Sequence, residues 1–275
     1  MEILPGLSEP VLRFSVFAGI LIAMALAELA IPRRKLSTPK PRRWLTNFSI
    51  VALDTLVVRL MGALAVPLVA VAAAVYCETN GWGLFNIVDW PQWLEFVLAL
   101  LVLDLAIWFQ HLVSHKVPIF WQLHQVHHAD RDIDVSTAIR FHPVEIALSM
   151  LWKIVLVFVF GPSAFAVVVF EVILNGCAMF NHANIALPAW LDKLLRIFIV
   201  TPDMHRVHHS VIRREHDSNY GFNLSVWDRL FGTYTAQPEK GHKGMTIGLS
   251  SYQSLSPTKL LWSLALPFRR QSDND

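Results

Sequence analysis

The 275-residue chain predicts an all-α fold, an integral membrane bundle of about four to five spanning segments. Three observations carry that expectation. Charged residues make up only 16% of the chain, with a mean hydropathy of +0.45, whereas an ordinary soluble domain carries about 25% charged residues. The apolar residues are gathered into long blocks, as crossing a bilayer requires. Eight histidines also fall into three clusters at helical spacing, each beside or close to an apolar block.

The first block, 12–31, is read as a retained anchor, because the start Met1-Glu2-Ile3-Leu4-Pro5 lacks the basic stretch that opens a cleaved leader. The second lies within 45–76 and exceeds the roughly 20 residues a crossing needs. It is expected to tilt, to bend near Pro67 or to run out along the interface. Asp54 and Arg59 set its first part at the interface or against other helices. The third block is 93–111. A fourth and a fifth fit between 144 and 180, divided by Gly161-Pro162-Ser163, and are short enough for a hairpin that does not fully cross. A last apolar stretch, 260–268, is too short to span and is expected on the interface. The tail Gln271-Ser272-Asp273-Asn274-Asp275 is expected to be disordered. The whole chain, 1–275, reads as one membrane-embedded domain.

Composition excludes several classes. A net charge of +2 argues against a nucleic-acid partner. Cys77 and Cys177 lie far apart and form no C-x-x-C pair, so neither a disulfide framework nor a thiolate metal site is implied. Orientation follows from the basic residues. The connection between the first two spans holds Arg33, Arg34, Lys35, Lys40, Arg42 and Arg43, whereas 77–92 has no Lys or Arg. The positive-inside rule sets the first connection in the cytoplasm and the second outside. Counting crossings then brings all three histidine clusters to the cytoplasmic side.

The clusters are His111-x3-His115, His124-x2-His127-His128 and His205-x2-His208-His209. Imidazoles spaced three and four apart project from one helix face, and neutral imidazole is the commonest side-chain metal ligand. Eight are too many for one tetrahedral ion and suit two, making a cytoplasmic histidine-rich dimetal cap under the bundle. Asp104, Trp108, His111 and His115 share one face of the third span. Asp104 is either a hydrogen-bond partner behind a ligand or a polar residue facing another helix. Pro118 ends that helix or starts a new one. Thr201 is a good N-cap, Pro202 suits a first turn and Asp203 complements the positive helix end. His182, where the fifth span re-enters the cytoplasm, is favoured as a ninth ligand. His142 is a ligand, a group behind a ligand or a helix cap, and His216 and His242 are expected on the surface. Glu171, inside an apolar block, should pair within the bundle.

Other metal chemistries fit less well. There is no H-E-x-x-H, and the only Glu-x-x-His, Glu239 with His242, lies in a polar stretch. A zinc protease or a soluble carboxylate di-iron bundle therefore lacks support. Imidazole suits Zn, Cu, Fe and Ni alike, so ligand type alone does not name the metal.

Taken in order, these motifs resemble the fatty acid hydroxylase superfamily, also called the sterol desaturase family, over roughly 101–233. The resemblance rests on the three clusters and on Arg140-x-His142-Pro143, Asn181-His182-x-Asn184, Thr201-Pro202, Asn219-Tyr220-Gly221 and Trp227-Asp228-Arg229-Leu230-Phe231-Gly232-Thr233. It implies a membrane enzyme that oxidises an unactivated lipid C–H bond with O2 and external electrons, giving an alcohol or an alkene. The lipid would be a sterol, hopanoid, carotenoid, fatty acyl chain or ether lipid. It implies two iron ions, with zinc as a substitute metal, held by His111, His115, His124, His127, His128, His182, His205, His208 and His209. Some relatives carry a fused b-type cytochrome, for which the stretch before residue 12 is too short, so a ferredoxin-like donor or a b-type cytochrome with its reductase is implied. Some relatives also carry a further histidine paired near the position of His182, and here there is one. A bacterial inner membrane is the expected location. The competing readings are a zinc enzyme that activates water without redox chemistry and a non-catalytic metal- or lipid-binding membrane protein.

Overall fold

The computed structural model describes residues 2–4, 7–64, 69–89 and 91–269. The expected bend near Pro67 and the tail 271–275 lie outside these residues. The helices, in chain order, are α1 (Glu9–Ala30), α2 (Lys40–Leu64), α3 (Ala70–Asn80), α4 (Leu84–Ile87), α5 (Gln92–Lys116), α6 (Pro118–His128), α7 (Pro143–Phe160), α8 (Ala164–His182), α9 (Ala189–Leu195), α10 (Pro202–His208), α11 (Arg213–His216), α12 (Val226–Leu230), α13 (Gly241–Gly244) and α14 (Leu260–Ala265). Beyond short 3-10 turns, the regular structure described otherwise is a small ribbon pairing Glu2–Leu4 with Leu7–Ser8.

Among the described residues α1, α2, α5, α7 and α8 are long and apolar enough to cross a membrane. The chain is thus an all-α integral membrane protein. Its helix starts follow local chemistry: α1, α6, α7 and α10 each open with proline in the first turn, where the missing N–H costs nothing. The break between α7 and α8 is set by Gly161, which caps α7 in the left-handed region at φ 64°. A β-carbon there would lie 2.3 Å from the Trp82 carbonyl oxygen, so only glycine lets these backbones approach.

The chain divides into two compact units. One comprises 38–131, 139–170 and 248–275. In it α2 and α3 pack on α7, and α6 packs on α5. The face that α3 offers α7 is made of small residues, Ala70, Ala73, Ala74 and Cys77, against Ile154 and Val157. The last apolar stretch buries Leu266 with Trp121 and Val126 of α6 while Leu261 and Phe268 stay exposed. A buried polar network fixes this unit. Arg43 forks onto Asp130 at 2.7 and 2.8 Å. Arg140 donates to the carbonyls of Val126 and Pro257, to Asn47 Oδ1 and to Ser263 Oγ at 2.8–2.9 Å. Burial would raise the Asp130 carboxyl, but the Arg43 guanidinium, helped by Arg140 and Asn47, holds it below the usual carboxylate range. Burial pushes Arg140 down to about 10, which leaves it charged at neutral pH.

The other unit comprises 1–37, 132–138 and 171–247. Here α1 meets α8 through Arg13 and Glu171, 2.6 Å apart, which satisfies the acidic group in an apolar helix as expected. At the end of α1, Glu28 Oε1 accepts from the backbone N–H of Val135 and Asn184. Arg33 forks onto Asp203, and Arg34 donates to the Met245 carbonyl. Arg33, Arg34 and Arg43 therefore also hold structure in their own units, beyond any topological role. His216 and His242 correct the expectation of surface histidines: both are buried, at 2% and 5% exposure. His242 lies 3.5 Å from Asp203, a neighbour 39 positions away in sequence that local polarity does not reveal.

Candidate metal centre

In the first unit, α5 buries Asp104, Trp108, His111 and His115 along one face, as the spacing predicted. Pro118 starts α6, whose last turns carry His124, His127 and His128, all buried. One ring nitrogen from each of His111, His115, His124 and His128 lies within 4.8 Å of the others. The His111 and His124 Nε2 atoms are 3.1 Å apart. On its far side, His124 Nδ1 lies 2.6 Å from Glu145 Oε1, at the start of α7. His127 is stacked on Phe141 at 4.5 Å and 7°, and its Nδ1 donates to the Arg140 carbonyl at 3.2 Å.

In the second unit, α8 ends on His182 and α10 carries His205 and His208, with His209 as its C-cap. Thr201 caps α10, accepting from Met204 N at 3.3 Å. His205 Nε2 is 3.1 Å from His182 Nε2 and 3.3 Å from His209 Nε2. His182 Nδ1 donates to the Ala178 carbonyl and His208 Nδ1 to the Ser218 carbonyl, both at 2.7 Å.

These contacts fix tautomers. A carbonyl oxygen only accepts, so Nδ1 of His127, His182 and His208 carries the proton and Nε2 keeps its lone pair for a ligand. The spacing fits a cation. Two nitrogens each about 2.1 Å from one ion are ~3.0 Å apart at a right angle and ~3.4 Å apart at the tetrahedral angle. The observed 3.1, 3.1 and 3.3 Å fall in that interval. Each unit therefore presents buried imidazoles at the edge length of a coordination polyhedron, and the all-nitrogen donor set suits iron as well as zinc, copper or nickel.

His142 resolves as a cap. Its Nδ1 accepts from Val144 N and its Nε2 donates to the Leu264 carbonyl, both at 3.2 Å, so both ring nitrogens are engaged. Asp104 is buried on the helix that carries His111 and His115.

Three supports escaped the sequence reading. Glu145 stands behind His124, and its signal was a carboxylate in the first turn of an apolar helix. The Arg140 carbonyl stands behind His127. The third is a clamp behind His208: Asp228 accepts from Tyr220 N, Gly221 N and Thr233 Oγ1 at 2.8, 2.9 and 2.7 Å. Asn219, in the left-handed region at φ 54°, donates to the Met204 and Thr235 carbonyls. These bonds hold the backbone of 219–221 directly after Ser218, whose carbonyl accepts from His208 Nδ1. A β-carbon on Gly221 would lie 3.0 Å from Asp228 Oδ2 and 2.8 Å from the Leu224 carbonyl, so glycine is required there. On α10, burial would raise Asp203, but Arg33 and Arg206 hold it below the usual range. Burial drives the neighbouring His242 down to about 4, against the opposing pull of Asp203.

Comparison with known proteins agrees with the family resemblance of the sequence. The profile described as Fatty acid hydroxylase matches residues 96–233. The chain is 30% identical to alkylglycerol monooxygenase of Homo sapiens over 64% of this chain and 38% of that one. It is 25% identical to an ornithine lipid hydroxylase of Rhizobium tropici over 66% and 53%, and 26% identical to a Delta(7)-sterol 5(6)-desaturase of Gibberella zeae over 62% and 48%. The chain thus spans less than two thirds of the length of these relatives. No solved structure matches. With half of its length matched by the profile and its histidine clusters inside the match, the chain belongs to the fatty acid hydroxylase family.

Proposed function

We propose that the chain is a membrane-bound di-iron oxygenase that hydroxylates or desaturates a lipid C–H bond with O2 and electrons from an external donor. The observation that carries this reading is the set of Nε2 atoms 3.1–3.3 Å apart on buried rings, several fixed at Nδ1 by an acceptor. His111, His115, His124, His127, His128, His182, His205, His208 and His209 would hold the metal, with Asp104 as a partner behind a ligand. When bound, the iron pair would supply the oxidation that no protein side chain performs: one O2, two electrons and two protons convert a C–H bond to an alcohol and water.

The protein's own residues orient and shield. The carbonyls of Ala178, Arg140 and Ser218 hold three rings in the tautomer that leaves Nε2 unprotonated. Burial of every one of these imidazoles keeps bulk water from competing for the ions. The membrane-length helices give a lipid chain a route to the site without crossing water. The relatives that are named for alkylglycerol, ornithine lipid and sterol support a lipid substrate. We place the site on the cytoplasmic face of a bacterial inner membrane, where a ferredoxin-like protein or a b-type cytochrome with its reductase delivers electrons.

The test is comparative lipid mass spectrometry of cells with and without the chain, with His127→Ala and His208→Ala as controls. The expected result is a lipid that gains one oxygen or loses two hydrogens only with the intact chain and only in air. Full turnover of a zinc-loaded protein without O2 would instead identify a non-redox enzyme.

A further inference from the structure

We propose that Glu145 is a positioning residue for the metal centre, acting through His124 to strengthen metal binding and to favour the oxidised ion. This inference rests on the dimetal reading above. The two ring nitrogens of His124 face different partners: Nε2 lies 3.1 Å from His111 Nε2, and Nδ1 lies 2.6 Å from Glu145 Oε1. Both side chains are buried, His124 at 2% and Glu145 at 11% side-chain exposure. The second carboxylate oxygen, Oε2, is also buried and takes no hydrogen bond among the described residues. Its hydrogen bonding is therefore spent on one imidazole.

Among the histidines proposed to hold metal, Nδ1 of His127, His182 and His208 meets a neutral backbone carbonyl. His124 Nδ1 meets a carboxylate. A carbonyl fixes the tautomer and orientation. A carboxylate at a short charge-assisted distance does this too and also pushes electron density onto the ring. An ion bound at Nε2 then sees a more basic donor, which favours the higher positive charge of the oxidised state. The residue is placed to do this by local structure. The His142 cap and Pro143 start α7, so that Glu145 falls in its first turn, and α7 packs on α6.

Glu145→Gln and Glu145→Ala distinguish this role from mere packing. The glutamine keeps an acceptor of the same shape for Nδ1 and removes the charge, whereas the alanine removes both. The purified, metal-bound protein is challenged with a chelator, and the midpoint potential of its metal is measured in parallel. Metal affinity is expected to fall about 10- to 100-fold in Glu145→Ala. Glu145→Gln should keep the wild-type metal content at rest. It should lose about tenfold in preference for the oxidised ion, which is a rise of about 59 mV for a one-electron couple. If Glu145→Ala fails to fold, the potential of the isosteric Glu145→Gln decides. A metal-containing wild type together with an unshifted Glu145→Gln potential overturns the role of Glu145 and leaves the dimetal reading standing. A wild type that binds no transition metal overturns the dimetal reading, and this inference with it.

Discussion

Replacing Asp228 by asparagine tests the link between the fold and the clustered histidines proposed to hold metal. The carboxylate is fully buried, and its donors include Tyr220 N and Thr233 Oγ1 on Oδ1 and Gly221 N on Oδ2. In Asp228→Asn, one oxygen can still serve Tyr220 and Thr233, but the new amide N–H2 faces the Gly221 N–H, donor against donor. A hydrogen bond to a charged group contributes about 1.5–3 kcal/mol, and leaving a buried N–H unsatisfied costs about 1–3 kcal/mol. The two surviving bonds also lose charge assistance. The sum is a loss of about 3–5 kcal/mol. At about 2–4 °C per kcal/mol for a chain of this size, the melting temperature in detergent micelles should fall by roughly 10 °C. Metal binding is expected to weaken as well, because the backbone held by Asp228 directly follows Ser218, whose carbonyl accepts from His208 Nδ1. A variant that melts within about 2 °C of wild type and retains full metal would refute this chain of support.

Arg140→Ala should be comparably severe, about 3–5 kcal/mol, because it strands buried acceptors at Val126, Asn47 and Pro257; Arg140→Lys should recover little, since an ammonium cannot reach them as a fork, and melting curves of both check this. His242 has its folded pKa depressed to about 4 from an ordinary 6.5. The unfolded chain then binds more protons between those values, and stability falls as pH drops from about 6.5 to about 4. Melting temperatures of His242→Gln should slope less than wild type over that interval. In a chain whose Cys77 and Cys177 are replaced, an impermeant thiol label should react from outside at Trp82→Cys and not at Arg213→Cys; the reverse pattern would overturn the cytoplasmic site.

Much of the site was legible because its pieces are local. Helical spacing alone put His111 with His115 and His124 with His127 and His128, and Thr201-Pro202 announced the start of α10. The membrane segments were legible because apolar length is a local property too. The hidden parts are pairings across long stretches of chain. Nothing near Glu145 in sequence names His124 as its partner, and nothing near Pro257 or Ser263 points to Arg140, more than a hundred positions away. The same holds for His242, whose polar neighbourhood suggested solvent but whose ring is buried against Asp203. The residues after Thr233 carry no part of the family likeness, yet Leu249 and Leu266 are buried with Trp121 and Val126 of α6. Asn219-Tyr220-Gly221 and Trp227–Thr233 read only as a likeness until the structure showed Asp228 gathering their N–H and O–H groups.

The central claim is that these buried imidazoles hold two metal ions. It is tested most directly by metal analysis with Mössbauer spectroscopy on protein purified without chelator from iron-labelled cells. The account predicts about two irons per chain in a nitrogen-rich environment, with loss of that signal in His127→Ala and in His208→Ala. A folded, lipid-active protein without transition metal, or one whose iron survives both substitutions, would contradict it.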